Sequence, residues 1–330
     1  TENPYRLIED VEGVGFGRAD ELGAKLGITG NHPDRIKAAI LHVLTHAALS
    51  EGHVYMDAEH VLPHVKDMLE QSQRVEIPYE SISKACIEMR EESKICGEET
   101  RLYLPSLYFS EVGIASKILD LVKENKKHHH FSKDEIRKAI GEVEESYNVT
   151  YAPTQAQAIE TALNSAVMIL TGGPGTGKTT VIKGLVEVYA ELHGLSLDPK
   201  YYAQKEEPFP IVLAAPTGRA AKRLAESTEL PAMTIHRLLG FTGQEDKDEG
   251  VGRDITGRLV IIDEMSMVDT WLAHQLMKSL PEDVQVVFVG DQDQLPPVGP
   301  GQVLKDLLAS KQLPIVELTD VYRQAEGSTI

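Results

Sequence analysis

The sequence predicts a mainly helical first part followed by an α/β domain built on a parallel sheet, and three observations carry that reading. From Tyr151 onward, apolar strand-like runs alternate with helices or long excursions, the order of a parallel sheet covered by helices. The first of these runs feeds directly into "TGGPGTGKTT" (171–180), where a strand ends in a glycine-rich turn that opens a helix. Before Tyr151 the apolar residues recur mostly at helical spacing, broken by two short strand-like runs.

Residues 1–28 hold two helix-sized apolar patterns around the turn "GVGFG", where Gly13, Gly15 and Gly17 permit positive φ and close approach. A helix is expected from about Ala19, and its exposed amides beside a glycine turn suit a DNA phosphate. The same residues also fit an ordinary helix hairpin. Residues 33–50 read as a helix and "GHVYM" as a short strand. Helices follow at 57–72 and 79–95, then a strand at "RLYLP", an order that suits a small helical or winged-helix domain. A long helix over 107–125 leads to His128, His129 and His130. Consecutive side chains do not converge on one metal, so these read as a solvated linker. Ser132 and Glu135 then form a capping box that opens a bridging helix. The expected division is a helix-hairpin-helix element at 1–30, a helical, winged-helix-like domain at 31–130, a linker helix at 131–150 and the α/β domain at 151–330.

Within the α/β domain the expected strands are "AVMILT", "PIVLAAPT", "RLVIIDE", "VQVVFVGD" and "PIVELT", while 193–210 and 242–257 read as exposed loops. No run of eighteen apolar residues and no secretory leader occurs, which points to a soluble cytosolic protein with no membrane partner. Cys86 and Cys96 lack a paired spacing and read as idle thiols. The net charge is −18, with 18 basic against 27 acidic residues in 1–150 and 15 against 24 in the remainder. With no basic domain, any grip on nucleic acid must come from local donors, backbone amides and helix N-termini.

Gly172, Gly177, Lys178 and Thr179 satisfy the G-x-x-x-x-G-K-[ST] pattern in its strand–turn–helix context. Glycines let backbone amides close around a β-phosphate, the Lys178 ammonium reaches β and γ oxygens, and the Thr179 hydroxyl ligates Mg²⁺. "LVIIDE" delivers Asp263 and Glu264 at a strand's C-terminal end, expected next to the end of the P-loop strand. Asp263 there holds Mg²⁺ through water, and Glu264 polarises the attacking water. An adjacent acid base favours hydrolysis over transfer to a small acceptor, so a kinase is disfavoured. "VFVGDQDQLPPVGPG" ends another strand at Gly290, Asp291 and Gln294. A neutral amide beside a γ-phosphate can report its presence, although "GDQDQ" alone also fits a polar loop.

Taken in order, "TGGPGTGKTT", "LAAPTGRAAKRL", "MTIHRLLG", "VIIDEMSMVD", "VFVGDQDQLPPVGPG" and "LTDVYRQ" resemble motifs I to IV of superfamily 1 DNA helicases, RecD-like branch, also known as the exodeoxyribonuclease V alpha subunit family. "YAPTQAQAIETAL" resembles the Q motif, and "PYRLIEDVEGVGFGRADELGAKLGI" resembles the helix-hairpin-helix of the stand-alone RecD-like enzymes. The resemblance implies a RecA-like first motor lobe, ATP and Mg²⁺ as cofactors, and single-stranded DNA and duplex junctions as partners, with nuclease-complex subunits a further option.

Residue by residue, it implies a nucleotide cradle of Gly172, Gly173, Pro174, Gly175, Thr176, Gly177, Lys178, Thr179 and Thr180, with Gln155 on the adenine ring. Asp263 and Thr179 would serve the metal, Glu264 the water and Gln294 the γ-phosphate, and Arg323 would be an arginine finger. Thr217, Gly218, Thr234 and His236 correspond to contacts with single-stranded DNA. Arg219, Lys222 and Arg223 fit either that surface or a solvated helix face. The resemblance further implies 5′ to 3′ movement and a role in DNA repair or recombination. Motifs V and VI do not follow Arg323, so these 330 residues are expected to bind nucleotide yet hydrolyse it feebly. A competing reading is an ATP-gated DNA-binding module without motor activity.

Overall fold

The computed structural model describes residues 3–241 and 252–320. Two compact units emerge: residues up to Val112 together with Val298–Gly301, and Gly113–Pro297 with the residues from Gln302 onward.

The smaller unit starts with a 3-10 turn at Pro4–Arg6. It continues with α1 (Leu7–Asp10), α2 (Phe16–Lys25), α3 (Pro33–Glu51), β1 (Tyr55–Asp57), α4 (Ala58–Gln73), α5 (Tyr79–Glu91) and β2 (Arg101–Tyr103). Helix α3 opens with Pro33, whose missing N–H is needed by no partner there, behind His32, whose Nδ1 accepts from the Asp34 amide. It stops at Gly52, which takes a left-handed φ of 76°. Strands β1 and β2 pair antiparallel, with Tyr55 opposite Tyr103.

Phe16 and Ala19 of α2 share one buried core with Ile36 and Ile40 of α3, Val65 and Leu69 of α4 and Met89 of α5. Residues 3–30 therefore pack as part of this unit. A buried ion pair reinforces it: Arg35 donates to Asp20 at 2.8 Å and also to the carbonyls of Gly30 and Leu69, while Tyr5 Oη and Ser72 Oγ donate to the same carboxylate. Helix α2 begins three residues earlier than the expected Ala19, because Gly15 in an extended conformation serves as its N-cap. Gly13 alone of the three turn glycines has a positive φ, 85°.

The larger unit begins inside α6 (Pro105–Asn125) and continues through α7 (Lys133–Tyr147), α8 (Pro153–Leu163), β3 (Val167–Gly172), α9 (Lys178–His193) and α10 (Pro199–Gln204). Then come β4 (Ile211–Ala215), α11 (Gly218–Thr228), β5 (Ala232–Thr234), α12 (Ile235–Leu238) and β6 (Leu259–Ile262), followed by α13 (Thr270–Ser279), β7 (Gln285–Gly290), α14 (Val303–Ser310) and β8 (Ile315–Leu318). The capping box at Ser132 and Glu135 is present, with bonds of 3.2 and 2.7 Å. Its helix, expected as a linker, contributes Ile136, Ile140 and Val143 to the core of this unit.

The sheet has six parallel strands in the order β5–β4–β6–β7–β3–β8. Both faces are covered, which is why the strands read as continuous apolar runs. Met168 and Leu170 of β3 join Val287 and Val289 of β7 beneath α7, α8 and α9. Val167, Ile169 and Phe288 face the other way, among residues of α6, α13 and α14. Phe288 is 1% exposed, so truncation to alanine there costs about 3–5 kcal/mol.

Three further features depart from expectation. Strand β5 is not expected from the sequence, since three residues cannot show a period and its pairing to β4 at the sheet edge supplies the order. Helix α10 lies inside a stretch expected to be loop, started by Asp198, whose side chain accepts from the Lys200 amide. The strand ending at Asp263 is not beside the P-loop strand, because β7 runs between them.

Candidate nucleotide-binding site

A parallel sheet places every strand's C-terminal end on one edge, and the register shows which residues share it. Met233, Ala214, Ile262, Phe288, Ile169 and Ile315 lie in one row from β5 to β8. Just beyond that row come Thr234 from β5, Thr217 after β4, Asp263 and Glu264 after β6, Asp291 after β7 and the glycine turn after β3. Asp263 stands two strands from the P-loop strand, about 10 Å at the usual inter-strand spacing.

Gly172, Gly173, Pro174, Gly175, Thr176 and Gly177 form the turn, and Lys178, Thr179 and Thr180 open α9. Gly175 and Gly177 take φ of 73° and 90°, conformations strained for any other residue. At Gly172 a Cβ would fall 2.7 Å from both the Leu318 carbonyl and Thr176 Oγ1, so the close packing against β8 excludes a side chain. Thr176 is buried and donates to the Gly173 carbonyl at 2.7 Å. Lys178 Nζ donates to the carbonyls of Gly172 and Gly173, which holds the ammonium over the mouth of the turn. A phosphate there would take over those two bonds. Thr179 and Thr180 are exposed at the helix start.

Asp263 is fixed by its amide donating to the Ala214 carbonyl at 2.9 Å, and its Oδ1 accepts from the Glu264 amide at 2.8 Å. Burial pushes the Asp263 carboxyl up to about 6. The Glu264 amide lowers it, the Glu264 charge raises it and the Lys178 ammonium lowers it. That last effect puts the lysine and the acid in one electrostatic neighbourhood. Glu264 itself sits at φ 52°, a left-handed conformation uncommon outside glycine and frequent at functional sites.

Past β7, Asp291 is buried and its Oδ1 accepts from the Asp293 amide, while the Gln294 amide donates to the Asp291 carbonyl, leaving an exposed Gln294 side chain at the turn. Gln294 lines a cavity of about 190 Å³ with Gln292, Gln302, Lys305 and Ser266. Ser266 is buried, and its Oγ has no hydrogen-bond partner among the described residues. Only its place after the acid pair marked it in the sequence.

Gln155 is buried at the start of α8, its Oε1 accepting from the Ala152 amide. Thr217 and Thr234 cap α11 and α12, their hydroxyls accepting from the amides of Ala220 and Arg237. Each retains an O–H to donate outward. Gly218 and His236 are exposed beside them, and a notional Cβ on Gly218 would point into open space. Gly13, Gly15 and Gly17 likewise have nothing within 4 Å of a notional Cβ, but they belong to the smaller unit. Arg323 lies outside the described residues. Lys178, Thr179, Asp263, Glu264 and the DNA-candidate threonines thus share one sheet edge.

A glycine turn with an inward lysine, an acid pair on a separate strand and a buried parallel sheet define a P-loop nucleoside triphosphatase fold. A family model described as "AAA domain" matches residues 150–330, and one described as "ATP-dependent RecD2 DNA helicase HHH domain" matches residues 1–55. The ATP-dependent RecD2 DNA helicase of Deinococcus radiodurans is 31% identical over 347 residues, covering 100% of this chain and 44% of that one. The RecBCD enzyme subunit RecD of Mycobacterium tuberculosis (strain CDC 1551 / Oshkosh) is 37% identical over 171 residues, 47% of this chain and 28% of its own length. A crystal structure of Pif1 helicase from Candida albicans aligns over 53% of this chain and 41% of that chain at 22% identity, with a TM-score of 0.37. The chain spans less than half the length of the two curated relatives. It belongs to the AAA-domain P-loop family and, within it, to the RecD-like superfamily 1 helicases. Among the described residues, no helix is long and apolar enough to cross a membrane.

Proposed function

We propose that this chain is the nucleotide-binding part of an ATP-driven motor that moves along single-stranded DNA and opens duplex junctions in DNA repair or recombination. The observation that supports it most is the shared sheet edge, which carries Lys178 and the Asp263–Glu264 pair at the same ends of the strands as Thr217, Thr234 and His236.

The donor set suits a magnesium nucleotide: a lysine whose partners are two loop carbonyls, a hydroxyl at the helix start and a partly desolvated carboxyl. Bound there, MgATP supplies the scissile phosphoanhydride and the cation that neutralises it. Lys178 would hold β and γ oxygens, the turn amides from Gly173 to Gly177 the β-phosphate, and Thr179 with Asp263 the metal. Glu264, held in its left-handed conformation, would orient and deprotonate water. Gln294 would sense the γ-phosphate, Arg323 would steady its charge as it transfers, and Gln155, pinned by its bond to Ala152, would face the adenine. Thr217, Gly218, Thr234 and His236 would hold DNA phosphates, with Gly13, Gly15 and Gly17 offering a second contact to duplex DNA.

Following the family resemblance, movement would run from 5′ to 3′, with nuclease-complex subunits as further partners in the cytoplasm. The 330 residues by themselves would bind nucleotide and turn it over slowly, because stepping needs two lobes that close on each other. Strand displacement by a protein carrying this chain at the length of its relatives, on substrates with 5′ and 3′ overhangs, tests the reading. Displacement from the 5′ overhang, lost in Lys178→Ala, supports it. Nucleotide-dependent DNA binding with no displacement from either substrate overturns the motor in favour of a gated binding module.

A further inference from the structure

Aromatic rings gather at the same sheet edge, beside the proposed DNA contacts. Phe241 closes the turn after α12, its amide donating to the His236 carbonyl at 2.9 Å. Its ring lies 6.4 Å from that of His236 and 5.7 Å from that of Trp271, the latter tilted by 32°. Trp271 sits in the first turn of α13, and one short turn, Met265–Met267, separates that helix from Glu264. Through Phe241, whose ring meets both, His236 of α12 and the start of α13 are neighbours; there burial raises the Asp269 carboxyl that caps α13, and the Leu272 amide and then the charge of His236 lower it.

Phe241 and Trp271 are both half-buried, packed against the core without being enclosed by it. Among the described residues, two exposed arginines lie near them in a chain whose net charge is −18: Arg237 beside His236, and Arg253, whose Nε lies where a Gly240 Cβ would meet it at 2.5 Å and which is followed by an exposed Asp254. Ring surface flanked by positive charge and by the Thr234 hydroxyl is what a strand with aromatic bases and an anionic backbone requires.

We infer that Phe241 and Trp271 form a stacking platform for nucleobases of single-stranded DNA, with Thr234, His236 and Arg237 holding the adjoining phosphates. This rests on the DNA reading of the sheet edge and adds to it a base contact that leads straight into the helix after Glu264. Stacking tolerates any base, so the platform would grip DNA without reading its sequence.

Trp271 is the single tryptophan of the chain, so its emission reports on this one position. The full chain would be titrated with fluorescein-labelled oligo-dT to follow anisotropy, and with unlabelled oligo-dT and an abasic strand of equal length to follow emission. Saturable quenching by oligo-dT and none by the bound abasic strand is expected. Trp271→Leu should weaken oligo-dT binding roughly 5- to 150-fold, the range that stacking of one base spans. Trp271→Phe should recover most of it, which a purely structural role would not require once thermal melts show both variants folded. Binding by anisotropy with unchanged emission and an unweakened Trp271→Leu overturns the platform and leaves the DNA reading standing. No anisotropy change in the unsubstituted chain overturns both.

Discussion

Lys178 and Asp263 sit two strands apart on one edge of the sheet, with β7 between them, and the lysine's ammonium draws down a carboxyl that burial pushes up to about 6. Two opposite charges across a partly desolvated gap are the elements of a magnesium–phosphate site. Lys178→Ala removes the cation and should weaken MgATP binding by about 10- to 100-fold, the equivalent of one or two charge-assisted hydrogen bonds. Calorimetric titration of the chain with MgATP checks this, and unchanged affinity would separate the lysine from the nucleotide.

Gly172 and Gly173 look alike in the motif but differ in their surroundings. A Cβ at Gly172 meets the Leu318 carbonyl at 2.7 Å, whereas one at Gly173 meets nothing within 4 Å. Gly172→Ala should therefore cost about 1–3 kcal/mol of stability while Gly173→Ala leaves the melting temperature almost unchanged. Equal thermal shifts in the two variants would mean that the β3–β8 packing yields more easily than its geometry indicates.

His193 titrates abnormally. Burial, and then the charge of Arg258, whose Nη2 is 3.2 Å from His193 Nδ1, lower its pKa from 6.5 to about 4. Between those values the unfolded chain holds the proton that the folded chain refuses. Stability is thus complete above pH 6.5 and falls as the pH drops toward 4. The loss is at most about 3 kcal/mol, and less once solvent screening at a half-buried ring is counted. His193→Phe, which preserves ring packing against Tyr189 and Phe131, should show a shallower fall in urea midpoint from pH 7 to 4.5.

In the smaller unit, Asp20 is the anionic partner of the buried Arg35 and also accepts from Tyr5 and Ser72. Asp20→Ala leaves a guanidinium buried without its counter-charge, a loss of about 3–5 kcal/mol. Hydrogen exchange should show α2, α3 and α4 deprotected together. Asp20→Asn, which keeps an acceptor, should be milder, and protection unchanged in both variants would show that the network is dispensable.

Much of the larger unit was legible because its strands are buried on both faces and the phosphate turn has fixed spacing. "TGGPGTGKTT" and "LVIIDE" thus marked the ends of β3 and β6 directly. The sequence concealed spatial order: nothing in it places β7 between those strands, since strand order depends on how helices cross the sheet. Strand β5 is too short for periodicity, and α10 depends on a cap at Asp198 within polar surroundings. The platform at Phe241 and Trp271 was hidden for the same reason, as two residues thirty positions apart become neighbours only when α12 and α13 meet at the sheet edge. Gly13, Gly15 and Gly17 read as one motif, yet Gly13 alone requires its glycine for backbone conformation.

Anomalous scattering from crystals grown with Mn²⁺ and a non-hydrolysable ATP analogue locates the metal directly. A manganese peak between Thr179 Oγ1 and the Asp263 carboxylate, with Lys178 Nζ moved from the loop carbonyls onto phosphate oxygens, is the predicted result. A metal and triphosphate bound in any cleft that does not contain both Lys178 and Asp263 would contradict it.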